Sequence, residues 1–282
     1  MSEIDAITAE INENNNRNRK LWILATISWL LVTISNIRYN FGRSSPWDDG
    51  HVDDVAFTPF TAQTTMVMFY WLITICWQLV YLVTSFDDTP RVFNLLFIAT
   101  NFMLLIWSYL FARSHYFLSE LVTIITFNML LGAYLFGQSY LLRPLYNWAI
   151  VHGSVVVAPL VWTHYVIWWN GAVLFGARNT FSRIIANVLI WEYLVVFGFL
   201  MLITGDYLLG TVSGYLMLCI AVGQLFTKVF ALQWVFALVI SNILFFFSAL
   251  LLFFAPLSYI EVPIFRTEAV IVDTENAPLL AP

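Results

Sequence analysis

Glu192 is the residue whose placement most invites chemistry. It stands about eight residues into an apolar run, 184–204, beside Leu189, Ile190, Trp191 and Tyr193. A carboxylate at that depth in hydrocarbon must face a bundle interior and find a partner, or stay protonated. It is a candidate for handling protons; the competing reading is a protonated carboxyl bonded to a neighbouring helix. His164 lies in the preceding apolar run, 149–171. Counted from the face where the two runs meet, it is roughly 10 Å deep at the helical rise, nearly the depth of Glu192. Antiparallel helices would set the two side by side, and such a pair relays protons or fixes helix register. Depth leaves rotation about each axis open. Asn170 completes the candidate intramembrane polar site of Glu192, His164 and Asn170. His152 stands twelve residues before His164, about 18 Å along a helix, so the two histidines cannot share one metal ion.

Gln78, Asn94, Asn101, Asn128, Asn187 and Asn242 also interrupt apolar runs. Amide hydrogen bonds between helices explain such residues, and a solute path lined with amides would look the same. Packing is the favoured reading. His-Glu-x-x-His, Gly-x-Ser-x-Gly, the P-loop and Gly-x-Gly-x-x-Gly are all absent from the sequence, which weighs against an enzyme without excluding one. No residue pattern indicates a cofactor, a bound metal or a catalytic residue. Cys76 and Cys219 both sit inside apolar runs and read as small packing residues.

The elements that must position these residues follow from composition. Hydrophobic residues are 61% of the chain and charged residues 10%, too little charge to cover a soluble surface of this length. In lipid the backbone must satisfy itself, which leaves helices or a closed barrel. The long unbroken apolar runs select helices. The fold class is therefore all-α, a polytopic transmembrane helix bundle of about eight spans. The spans fall near 21–38, 62–86, 92–112, 121–142, 149–171, 184–204, 208–226 and 229–256. Residues 1–20 form a polar cytosolic tail, 21–257 the transmembrane domain and 258–282 a flexible cytosolic tail. Trp162, Trp168 and Trp169 crowd one end of the fifth span, as interfacial anchors would. Gly210 and Gly214 give a GxxxG face, plausible for packing and weak as evidence of a dimer.

Connections such as 87–91 and 143–146 are short, so consecutive helices neighbour each other antiparallel. The longest loop, 39–61, holds Asp48, Asp49, His51, Asp53 and Asp54; a solvated acidic loop is the favoured reading over a cation-attracting one. Net charge is −5 with no basic tract, which argues against nucleic acid as a partner. Basic residues divide evenly between the two faces, so the positive-inside rule decides little. The edge at Arg17, Arg19 and Lys20 leans towards both termini being cytosolic. In the C-terminal tail, Glu275 followed by Leu279 and Leu280 fits an acidic dileucine sorting pattern. It makes a sorting adaptor the expected protein partner, beside the lipid bilayer itself. The oligomeric state is not legible.

Two stretches, 111–121 (Phe-Ala-Arg-Ser-His-Tyr-Phe-Leu-Ser-Glu-Leu) and 159–173 (with Pro159, Trp162, His164, Asn170 and Gly171), resemble a fungal family of multi-spanning membrane proteins of unknown function, some described as vacuolar. The resemblance would run from about the second span to the last. It implies the fold and a vacuolar or other endomembrane location, and it brings no catalytic residues. The residues thus point to an integral membrane protein of the vacuolar or endolysosomal system whose activity they do not disclose. A small-solute or proton-coupled transporter and a structural or partner-binding membrane protein are the alternatives.

Overall fold

The computed structural model describes residues 3–38, 58–141, 148–226 and 232–254, and the described residues form helices joined by short turns. We number these helices α1 (Glu3–Asn36), α2 (Thr64–Thr84), α3 (Arg91–Ala112), α4 (Tyr116–Leu141), α5 (148–174), α6 (Thr180–Thr204), α7 (Tyr207–Phe226) and α8 (Gln233–Phe254). Seven of them, α2 to α8, are long and apolar enough to cross a membrane. α1 falls short in composition because Arg17, Arg19 and Lys20 precede its apolar part. Its contacts nevertheless run along the bundle. Near Leu21, the Trp22 indole N–H donates to the Leu82 carbonyl at 3.1 Å, and Arg91 donates to Asn18 at 3.1 Å. Fourteen residues or so further on, Ser35 meets Ser108 at 2.9 Å near the other end of α3. α1 therefore lies antiparallel to α2 and parallel to α3 over about 20 Å.

The loop residues Asp48, Asp49, His51, Asp53 and Asp54, the connection 143–146, and the tail residues Glu275, Leu279 and Leu280 lie outside the described residues. Two spans begin earlier than their hydropathy suggests. α4 starts at Tyr116, directly after a turn in which Ser114 takes a left-handed φ of 60°. α6 starts at Thr180, where the Asn179 side chain caps the helix by accepting from the Ser182 N–H at 2.8 Å. Both shifts bring polar residues into helices that an apolar-run count leaves outside, Glu120 among them.

α5 is the axis of the bundle. Buried residues make up 89% of its membrane-crossing window, against 28–61% in the other six. This environment corrects the expectation for its tryptophans. Trp162 is 4% exposed, stacked on Tyr70 at 5.7 Å and edge-on to Trp71 at 5.0 Å. Trp169 packs on Phe111 at 4.8 Å. Helices surround α5, so Trp162 and Trp169 become core residues instead of interfacial anchors, while Trp168 is partly buried. The GxxxG face of α7 is likewise used within the chain. A Cβ on Gly214 would touch Phe245 and Leu244 of α8, and the Ser241 hydroxyl donates to the Gly214 carbonyl at 2.8 Å.

Both α5 and α6 are irregular. Residues His152–Val157 of α5 and Leu194–Gly198 of α6 form π-helical turns. In α6 the regular helix stops at Leu189, passes through a turn at Ile190 and Trp191, and resumes around Glu192. There the Trp191 and Tyr193 N–H groups donate to carbonyls three residues back, both at 3.3 Å. Such breaks in a membrane helix are tolerated where protein surrounds them, and π-turns concentrate at functional sites.

Candidate functional site

α6 runs from Thr180 to Thr204, which places Glu192 midway along it, deeper than a span starting at 184 implies. The structure sets it beside His164. His164 Nε2 lies 2.8 Å from Glu192 Oε2, and the Trp168 indole N–H donates to the same oxygen at 3.2 Å. The His164 side chain is 5% exposed and that of Glu192 33%. Around the imidazole stand Tyr193 and Phe197, both edge-on with ring centroids at 4.7 and 4.8 Å, and Phe127 at 5.2 Å. His164 Nδ1 is buried with no hydrogen-bond partner among the described residues. An imidazolium would carry a second N–H there with nothing to accept it, at a cost of about 1–3 kcal/mol. The geometry therefore suits a neutral ring that donates from Nε2. Both donors meet Oε2 and neither engages Oε1. Oε1 thus lies outside both of these hydrogen bonds.

Asn170 is not part of that pair. It lies six residues further along α5, about 9 Å away, in a cluster with α4. Its amide N–H groups lie within donating distance of Glu120 Oε2 at 2.8 Å, the Ser119 hydroxyl at 2.9 Å and the Tyr116 carbonyl at 3.2 Å. Asn170 is fully buried and Glu120 partly so. Sequence reading missed Glu120 because the apolar run begins after it; its place in the second turn of α4 was the available signal.

A third cluster involves His152, at the opposite end of α5. His152 Nε2 lies 2.6 Å from Asp206 Oδ2. The Tyr134 hydroxyl donates to that same oxygen at 3.0 Å and meets the Thr204 hydroxyl at 2.8 Å. Asp206 Oδ1 caps α7, accepting from the Leu208 and Leu209 N–H groups at 3.0 and 3.1 Å. His152 and Tyr134 are fully buried and Asp206 is 3% exposed. Four helices meet at this carboxylate, which sequence reading treated as a connection between spans. The preceding Gly205, at φ 68°, closes α6 with a left-handed residue. Thr-Gly-Asp between two apolar runs is the helix-stop and helix-start pattern that could have flagged it.

The amides divide by role. Gln78 reaches the Ser154 carbonyl of α5 at 3.4 Å, and Asn94 accepts from the Tyr81 hydroxyl while donating to the Phe86 carbonyl at 3.1 Å. Asn101 lies 3.5 Å from the Ser28 hydroxyl of α1. Asn128 and Asn242 are exposed and donate to their own helices. Among the described residues these bonds are those of packing.

Comparison with known proteins reaches the C-terminal third. Residues 183–280 match the model of a family described as fungal protein of unknown function (DUF1774). That stretch is similar to the fungal family. It contains Glu192, Asp206 and helices α7 and α8, whereas the stretches 111–121 and 159–173 lie outside it. An uncharacterised protein of Schizosaccharomyces pombe is 37% identical over 98 residues, covering 35% of this chain and 33% of that protein. The chain thus spans about a third of the length of the curated relative it matches. No solved structure matches the fold.

Proposed function

We infer that this multi-pass membrane protein moves a small solute across an endomembrane of the vacuolar or endolysosomal system, coupled to protons through Glu192. One observation carries the reading: a His–Glu pair at mid-membrane depth, on a helix broken at the same residue, with a third of the carboxyl side chain open. Ionisable residues are costly in hydrocarbon and belong to ion paths and proton relays when they occur there. Broken helices at the midplane are where secondary transporters place their coupling sites. Oε1, which lies outside both hydrogen bonds, is the oxygen that takes and releases the proton. The endomembrane location is supported by the dileucine pattern at Glu275, Leu279 and Leu280, which would engage a sorting adaptor.

The test uses the purified full chain in sealed vesicles loaded with a pH-sensitive dye. Amino acids, sugars, nucleosides and organic acids are added in turn under an imposed pH gradient. A transported solute moves protons with it in the wild type, and Glu192→Gln abolishes that movement while remaining folded. A structural or partner-binding role is the second reading, supported by the density of the core around α5: the gap bordered by Leu104, Trp107, Thr123 and Trp162 has no room for water. On that reading no solute evokes proton movement in the wild type.

A further inference from the structure

At one face of the bundle, α1 crosses the α2–α3 turn. A cavity of about 430 Å³ opens there, bordered by Asn18, Leu21, Asp87, Thr89, Arg91 and Asn94. A second of about 480 Å³, between Arg19 and Trp22, shares Asn18 and Asp87 with it. Arg17, Arg19 and Lys20 are exposed beside these openings and Arg91 is half-buried. Among the residues whose side chains are described, these four cations share this face with two exposed acids, Asp87 and Asp88. Pro90 forms a wall of the first cavity and also of an apolar groove of about 660 Å³ between α3 and α4. Val92, Leu96, Ala99, Met129, Ala133 and Gly137 border the groove. From Val92 to Ala99 and from Met129 to Gly137 it extends about 10–12 Å inward from that face. The small side chains at Ala99, Ala133 and Gly137 keep it open.

A polar cavity bordered by Arg91, next to one bordered by Arg19 and sharing the Pro90 wall with an apolar groove, has the two-part shape of a phospholipid. We propose that this face binds one anionic phospholipid, its headgroup in the cavity beside Arg19 and Arg91 and one acyl chain in the α3–α4 groove. The phosphate sits towards the two guanidinium groups, which bind phosphate oxygens in pairs. Asp87, which borders both cavities, accepts from an ammonium or hydroxyl of the headgroup. That arrangement favours phosphatidylserine or an inositol lipid over phosphatidylcholine, whose quaternary amine donates no hydrogen bond. The trio of Arg17, Arg19 and Lys20 at the start of a membrane-crossing stretch draws anionic lipid to this side of the bilayer. The site is independent of proton coupling at Glu192.

The experiment is native mass spectrometry of the full chain in detergent, with phosphatidylserine and phosphatidylcholine added at equal concentration. One phosphatidylserine is retained in preference. Arg19→Ala and Arg91→Ala each weaken its binding about fivefold. Arg19 is exposed, so its variant carries little folding risk. Ala133→Phe, which fills the groove, weakens retention at an unchanged melting temperature, and Ala133→Leu replaces it if the larger side chain unfolds the protein. Equal retention of the two lipids overturns the proposal, as does binding indifferent to the arginine variants or to the groove variants. Competition by inorganic phosphate at millimolar concentration would reduce the site to an anion pocket and also overturn it.

Discussion

Glu192 Oε2 accepts from the Trp168 indole N–H and lies 2.8 Å from His164 Nε2, which donates to it in the neutral tautomer the site suits. Glu192→Gln keeps a carbonyl oxygen for both, so the fold survives with less than about 1 kcal/mol lost. Glu192→Leu leaves the buried His164 N–H without an acceptor and costs about 1–3 kcal/mol. Apparent melting temperatures in detergent rank the two; severe loss in Glu192→Gln would instead indicate an ionised, obligatory pair. The His152–Asp206 pair is more buried and joins four helices, so Asp206→Ala costs more, about 3–5 kcal/mol, because it strands a buried partner. Asp206→Asn, which retains an acceptor for the α7 cap, falls between Asp206→Ala and wild type in the same assay. The sequence made the first pair legible and hid the second. Glu192 and His164 both interrupt apolar runs, and counting residues from a shared face matched their depths. Asp206 and Glu120 stand at the edges of such runs, where a charge reads as a connection. Asn170, grouped by sequence with Glu192 and His164, has its partners on α4 instead, because hydropathy fixes no rotation about a helix axis.

At the scale of elements, the segment 58–63 shows what close approach requires. It crosses the end of α7, where the Gln63 N–H donates to the Cys219 carbonyl at 2.9 Å and Gln224 donates to the Thr58 and Thr61 carbonyls at 3.1 and 2.9 Å. Phe60 reaches over Trp168, ring centroids 5.6 Å apart, so the segment lies one ring away from the Glu192 pair. A Cβ on Gly223 would stand 2.6 Å from the Thr61 carbonyl oxygen and 2.7 Å from backbone atoms of Ala62 and Gln63. Backbone cannot swing aside as a side chain can, so Gly223→Ala destabilises by about 1–3 kcal/mol. Gly132 has nothing within 4 Å of the same position, and Gly132→Ala stabilises α4 by up to about 1 kcal/mol through helix propensity. Melting temperatures moving in opposite directions are the expected result, and equal shifts would show that segment 58–63 is not held against α7. Helix existence was legible from apolar runs longer than a bilayer requires. The π-turns of α5 and α6 were not, because one extra residue in a turn leaves no mark in hydropathy. The fate of the tryptophans was also hidden: the same residue is an interfacial anchor on a peripheral helix and a core residue on the central one.

For the whole molecule, the direction of each helix fixes which ends share a face. Trp22 bonds to Leu82, Tyr134 to the 204–206 turn, His164 to Glu192, and the Gly210–Gly214 face of α7 packs on α8 at Ser248 and Leu244. With short turns between α2 and α3, α3 and α4, and α6 and α7, the eight helices alternate. Asn18 and Phe254 therefore lie on the same face, as an even span count requires. The basic edge of Arg17, Arg19, Lys20 and Arg91 leans that face towards the cytosol. Tags placed at the two termini should be digested together when protease is added outside sealed vesicles of cytosolic-side-out orientation. Opposite protection of the two tags would mean that α1 or α8 does not cross. The sorting reading depends on the same geometry, since an adaptor meets the tail only from the cytosol. Leu279→Ala combined with Leu280→Ala should relocate a tagged protein from its wild-type compartment while its melting temperature stays at the wild-type value. Unchanged delivery of the double variant, with both tags accessible, would assign the dileucine to coincidence. Unchanged delivery with both tags protected would instead place the termini in the lumen, where the four basic residues and the lipid cavity would face as well.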